Sequence, residues 1–149
     1  MQIQRILVPI DFSDHSARAL DYAIELARKF GAEVRLLNAY PVYVGAVSPY
    51  GLSVPESFEQ ACRDAAKGEI ESWGEKVTAA GVPVKTQLSA LPPAEAIARY
   101  VEEQAIDLVV MGTRGLSGFK HFMLGSVAER TLRSCECPIL TVRGRDESA

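Results

Sequence analysis

The stretch Asp107-Leu108-Val109-Val110-Met111-Gly112-Thr113-Arg114-Gly115 runs from an apolar segment into glycine, and nine residues later comes Gly125-Ser126-Val127-Ala128-Glu129. Leu108 to Met111 is apolar throughout, the pattern of a parallel strand covered on both faces. Ser126 to about Ser134 reads as a short helix. A strand that feeds a glycine-rich stretch and then a helix marks the place where open α/β sheets bind ligands, beyond the carboxyl ends of their strands. Glycine there lets the backbone approach a ligand and take positive φ. The first N–H groups of the helix, at Gly125, Ser126 and Val127, and the positive end of its dipole favour an anion. The Ser126 hydroxyl adds a donor, and Arg114 and Lys120 supply countercharge. A reading without a ligand stands beside this one. Gly112 and Gly115 can simply make a tight turn, and Ser126-Val127-Ala128-Glu129 is a capping box in its own right.

Outward from this segment the chain alternates strands with helices. Ile3 to Pro9 is a first strand. Ser13 is the N-cap of a helix whose stripe of Ala17, Leu20, Ala23, Ile24, Ala27 and Phe30 stops at Gly31. Glu33 to Tyr40 is a second strand. Residues Pro41 to Pro55 hold three prolines and two glycines and read as a long loop, a length more often functional than merely connecting. Glu56 to Ala80 is a long helix carrying Phe58, Cys62, Ala66, Ile70, Trp73 and Val77, with Gly68 and Gly74 each costing about 1 kcal/mol against alanine. Val82 to Leu88 is a third strand. Pro92-Pro93 opens a helix whose inner face is Ala94, Ile97, Ala98, Val101 and Ala105. Pro138 to Val142 is the fifth strand, and Arg143 to Ala149 a polar tail. Helices between successive strands predict a parallel sheet with helices on both faces.

Composition narrows the function classes. With 149 residues the chain is of single-domain size, residues 1–149 forming one unit. Hydrophobic residues at 48% and charged residues at 23% describe a globular chain and not a disordered one. A net charge of -3 argues against nucleic acid, whose affinity comes from clustered Lys and Arg. No apolar run reaches the ~20 residues of a membrane span. The N-terminus enters a strand directly, without the layout of a signal peptide. Three cysteines are an odd number and argue against a disulfide framework, pointing to a reducing cytoplasm. Cys135-Glu136-Cys137 and the distant His15 and His121 lack the four-ligand spacing of a zinc site, so no metal site is expected. The two histidines read as solvated or capping, with His121 beside Lys120 in the glycine stretch. Neither a Ser/His/Asp arrangement nor a Walker loop is present in the sequence, and no catalytic residue is assigned.

The spacing Gly112-x2-Gly115-x9-Gly125-Ser126 resembles the nucleotide-binding signature of the ATP-binding universal stress proteins. The likeness continues in Ile6-Leu7-Val8-Pro9-Ile10-Asp11-Phe12-Ser13, in Asp107 to Gly112, in Leu124 to Glu129, and in Cys137 to Arg143. The resemblance implies an open α/β sheet of five parallel strands ordered 3-2-1-4-5, a Rossmann-like nucleotide-binding fold. ATP, with magnesium possible on its phosphates, would then lie where the first and fourth strands end. Asp11 matches the family's acidic residue at the adenosine end, where a carboxylate accepts from ribose hydroxyls; on its own, Asp11-x-Ser13 is also ordinary turn chemistry. Pro9 belongs to the same strand end. Ala39 matches the position whose backbone meets adenine, and Met111 and Gly112 the ribose-side wall. The chain departs from the family at Asn38-Ala39, where His-Val is usual, and at Leu91-Pro92-Pro93, which stiffens the loop before the third helix.

The resemblance also implies a homodimer that pairs the last strand, Pro138 to Arg143, antiparallel about a two-fold axis. The expected function is a cytoplasmic, nucleotide-dependent regulator of the stress response with at most slow ATP hydrolysis. No base or second acidic residue marks a hydrolytic site. The alternatives are an adenylyl-transfer or phosphatase enzyme on the same fold, and a nucleotide-free dimeric scaffold.

Overall fold

The computed structural model describes residues 2–40, 55–114 and 124–144. Of the expected loop Pro41 to Pro55, residues 41–54 lie outside them, as do Gly115, Lys120 and His121.

Five strands and four helices alternate: β1 (Arg5–Pro9), α1 (Asp14–Phe30), β2 (Glu33–Ala39), α2 (Glu56–Ala79), β3 (Val84–Ser89), α3 (Pro93–Glu103), β4 (Leu108–Gly112), α4 (Ser126–Ser134) and β5 (Ile139–Val142). They form one sheet of order β3-β2-β1-β4-β5, with every neighbouring pair parallel. The fold class and strand order are those the resemblance implies. Register is pinned by pairs such as Ile6 with Val34 and Leu7 with Val109.

Because successive side chains of a strand point to opposite faces, the apolar strands supply two cores. Ile6, Val8, Val34, Leu36 and Val110 pack against α1 and α2. Leu7, Leu37, Val109 and Met111 pack against α3 and α4. Ile6, Leu7, Val8 and Val109 are fully buried, each worth about 1.5–3 kcal/mol of transfer free energy. This is why the central strands read as continuous apolar runs in the sequence.

Helix α1 starts as expected: Ser13 is extended at φ -79° and its hydroxyl accepts from the Ser16 N–H at 3.2 Å. It ends at Gly31, whose φ of 67° is the left-handed conformation glycine adopts freely. Its inner face holds Ser16, Ala19, Leu20, Ala23, Ile24 and Ala27. Phe30, expected on that face, is half exposed at the last residue of the helix. In α2 burial begins only at Ala66, and Phe58 is exposed. Gly74 has a packing role, since a Cβ there would stand 3.2 Å from Thr86 Cγ2 on β3; Gly68 is in open space. In α3 the buried positions are Ala96, Ile97 and Val101. Ala105 is not part of that face: it lies past the helix end at φ 47° and is exposed.

Candidate functional site

At the carboxyl ends of β1, β2 and β4 the sheet opens into a cavity of about 280 Å³. This is the point where the chain crosses from one side of β1 to the other, the place where open sheets of this kind leave a crevice. Nine of the ten expected site residues line it: Pro9, Asp11, Ala39, Met111, Gly112, Arg114, Gly125, Ser126 and Val127. The tenth, Gly115, lies outside the described residues. The wall also includes Ile10, Leu37, Thr113 and Ala128, and from α3 Pro93 and Ile97. Sequence reading missed the α3 contribution. The signal was there, since Pro93 and Ile97 are four apart and share one helix face. The floor is therefore apolar, with Asp11 on one side and Arg114 and the start of α4 on the other.

The β1–α1 turn carries Asp11. Asp11 Oδ1 accepts from the Ser13 N–H at 3.1 Å and from the Ser13 hydroxyl. Asp11 thus organises the turn, and it also stands at the cavity wall. Between them Phe12 has a φ of 63°, left-handed for a bulky residue.

The β4–α4 connection is built differently. Neither Gly112 nor Gly125 has positive φ, contrary to expectation; Gly125 sits at φ -61°, ψ 153°. Glycine is required by proximity. A Cβ on Gly125 would lie 3.0 Å from the Thr113 carbonyl oxygen, the same oxygen that accepts from the Gly125 N–H at 2.7 Å. A Cβ on Gly112 would lie 3.0 Å from the Cβ of His15. The Thr113 N–H in turn donates to the Val142 carbonyl at 3.0 Å, tying this turn to β5.

The capping box does not form. Gly125 is the N-cap of α4, with no side-chain cap, and Glu129 pairs with Arg133 at 2.8 Å. The box fails because the helix begins one residue earlier than the pattern requires, making Ser126 the first helical residue instead of the cap. Ser126 and Val127, at the amino end of the helix, line the cavity, and an anion there would meet the helix's first N–H groups.

Asn38 does not line the cavity. It is buried, and its Nδ2 donates to the Ile10 carbonyl at 2.9 Å, bracing the end of β1 from below. His15 is neither solvated nor a cap: its ring stands against Gly144, its Cβ and backbone against Gly112, and its Nδ1 is shielded without a hydrogen-bond partner. Cys135 and Cys137 pack on the α3/α4 core, and burial pushes both thiols up from their ordinary value. Among the described residues no group of three or more His, Cys, Asp or Glu could hold a metal, and no helix is long and apolar enough to cross a membrane.

Residues 2–143 match the model of the universal stress protein family. The chain is 37% identical to the universal stress protein YxiE of Bacillus subtilis, covering 93% of this chain and 98% of that protein. It is 36% identical to the universal stress protein MJ0531 of Methanocaldococcus jannaschii, over 94% and 82%. Among solved structures, MJ0577 of the same archaeon superposes with a TM-score of 0.86 at 24% identity, over 99% and 100% of the two chains. A universal stress protein in complex with cAMP gives 0.72 at 24%, over 96% and 98%. A family protein of Arabidopsis thaliana with AMP bound gives 0.71 at 19%, over 97% and 94%. Sequence identity over nearly the whole chain, with the strand order and the glycine turn in place, leads to one conclusion: the chain belongs to the universal stress protein family.

Proposed function

We propose that this protein binds an adenine nucleotide, ATP by the fit of its glycine turn, and acts as a nucleotide-dependent regulator in the stress response. One observation carries the reading. A carboxylate from the β1–α1 turn and the amino end of α4 face a single cavity with an apolar floor. The apolar lining of Ala39, Leu37 and Ile97 suits a flat base, with Met111 and Gly112 on the ribose side. Asp11 suits the ribose hydroxyls, because a carboxylate accepts two hydrogen bonds. The N–H groups of Ser126 and Val127 at the start of α4, with Arg114 nearby, suit the phosphates, while the Gly125 N–H, expected to serve there too, is already given to the Thr113 carbonyl. Magnesium would travel with those phosphates. Two structural neighbours hold AMP and cAMP, which supports an adenine nucleotide as the ligand class.

The role assigned is binding and at most slow hydrolysis, in the cytoplasm. Protein purified without added ligand, denatured and read by absorbance and mass, is expected to release adenine nucleotide. Calorimetry with ATP, AMP, cAMP and adenosine then ranks the ligands. Nucleotide-free protein that gives no heat with any of them would end this reading.

The same proposal includes a homodimer through β5. Leu140 is 38% exposed on this edge strand, and apolar free edges are normally covered or charged. Light scattering is expected to return twice 16.2 kDa, and Leu140→Pro to return the monomer by removing a donor and bending the edge. A monomer mass for the unaltered protein at micromolar concentration, or a dimer indifferent to Leu140→Pro, would refute this interface.

A further inference from the structure

The β1–α1 turn carries a feature that the binding of a nucleotide does not require. Phe12 is one of two non-glycine described residues with positive φ. The other, Ala105, follows the end of α3, where a left-handed residue is ordinary helix termination. Phe12 has no such excuse. It joins a strand to a helix start, and a bulky side chain in the left-handed region persists only where its surroundings over-determine it.

Those surroundings lie on opposite faces of the sheet. Asp11, just before Phe12, lines the cavity on the α3/α4 side. Ser13, just after it, caps α1 and donates to Asp11 Oδ1. The Phe12 side chain turns the other way and packs on the α1/α2 core. There it meets Trp73 of α2 edge to face, ring centroids 5.5 Å apart and planes at 78°, the geometry aromatic pairs prefer. Trp73 is itself packed on that core and is the only tryptophan of the chain. Three consecutive residues therefore serve the cavity, the opposite core and the helix cap, and the strained one is the link.

We propose that Phe12 and Trp73 are a positioning pair: Trp73 holds Phe12 in its left-handed conformation, Phe12 holds the Asp11 carboxylate at the cavity wall, and occupancy of the cavity is thereby felt at α2 on the far side of the sheet. Without the Trp73 edge, Phe12 relaxes to an ordinary φ. That rotates the peptide joining it to Asp11 and moves the carboxylate. The inference rests on the reading that Asp11 meets the sugar of a bound nucleoside.

The test uses the full-length protein, with adenosine and ATP as probes. Calorimetry and Trp73 emission are recorded in one titration. The unaltered protein is expected to show an emission change that saturates together with the heat. Phe12→Ala and Trp73→Leu are each expected to weaken adenosine by about three- to tenfold, toward the lower end of the coupling found between residues in contact. Trp73→Phe, which keeps an aromatic edge, is expected to restore most of that loss. In an Asp11→Ala background Phe12→Ala is expected to cost nothing further, because the pair acts only through the carboxylate. A loss of equal size in both backgrounds would show a merely structural role and overturn the inference. So would heat on binding with no change in Trp73 emission, a result that needs no variant to fold. No heat with either probe in the unaltered protein would instead overturn the nucleotide reading on which the inference stands.

Discussion

Two strand-to-helix turns face each other across the cavity, and they hold their shape by different means. The β1–α1 turn is held by side chains: Asp11 accepts from Ser13, Ser13 caps α1, and Phe12 is pinned left-handed against Trp73. Among the described residues, the two ends of the β4–α4 connection are tied by main chain: Gly125 N–H to Thr113 O, Thr113 N–H to Val142 O, and glycines where a Cβ would collide. A turn held by side chains loses a bond or a contact when one is cut short. A turn held by main chain is damaged by addition, since its glycines have almost no room for a Cβ. The first kind of turn offers a carboxylate, suited to hydroxyls. The second offers backbone donors and a helix dipole, suited to anions.

The contrast is sharpest at Gly125. Gly125→Val places a branched side chain against the Thr113 carbonyl, 3.0 Å from the ideal Cβ. The turn must open, and binding of ATP is expected to fall by a factor of about a hundred or more, the loss expected when several backbone donors are displaced together. Circular dichroism should show the helices intact. Unchanged ATP affinity in a folded Gly125→Val protein would remove the phosphates from this turn.

Asp11→Ala tests the opposite wall. Losing a charge-assisted hydrogen bond of about 1.5–3 kcal/mol weakens binding roughly tenfold or more, and adenosine and ATP should suffer alike. A variant that loses ATP but keeps adenosine would assign the carboxylate to the phosphate end. Thermal denaturation should also register the loss of the Ser13 contacts.

Gly112→Ala is the addition test at the base of the β4 turn. The new methyl meets His15 Cβ at 3.0 Å, and overpacking of this kind costs about 1–3 kcal/mol. Because His15 is the neighbour, His15→Gly is expected to recover part of that loss in the double variant. Strict additivity of the two melting-temperature shifts would mean that the collision is relieved elsewhere.

The smallest effect on stability is expected for Ser126→Ala. With Gly125 as N-cap and no side-chain cap at α4, deleting the hydroxyl should change stability by no more than about 0.5 kcal/mol. ATP affinity should nevertheless fall severalfold, through loss of one donor. A stability loss of about 1 kcal/mol, typical of a removed N-cap, would restore the capping box as the reason for this serine.

The unequal legibility of the two turns in the sequence follows from the same physics. Ser13 as a cap, Gly31 as a left-handed terminator and Asp11 as a turn acid were readable, because each acts on backbone within three or four residues of itself. The glycines of the second turn were readable as a close approach but not as to what they approach. The sequence predicts positive φ or a ligand, whereas the neighbours are Thr113 and His15, the latter about a hundred residues away. His15 looked solvated for the same reason: nothing local to it announces Gly112 and Gly144. Periodicity puts Phe30 and Ala105 on inner faces, but a helical stripe does not tell where a helix ends or how far the packing against it extends.

The parallel sheet and the location of the crevice were determined by the sequence alone. Unbroken apolar runs such as Leu108 to Met111 require cover on both faces, and the helical segments between strands provide it. The tertiary structure alone decided that Pro93 and Ile97 of α3 close the wall, that Asn38 braces Ile10 instead of facing the cavity, and that Phe12 reaches Trp73 through the sheet's end. Periodicity and capping are set by neighbours along the chain and so can be read from it. Contacts between distant segments depend on how the layers pack, and no local pattern records them.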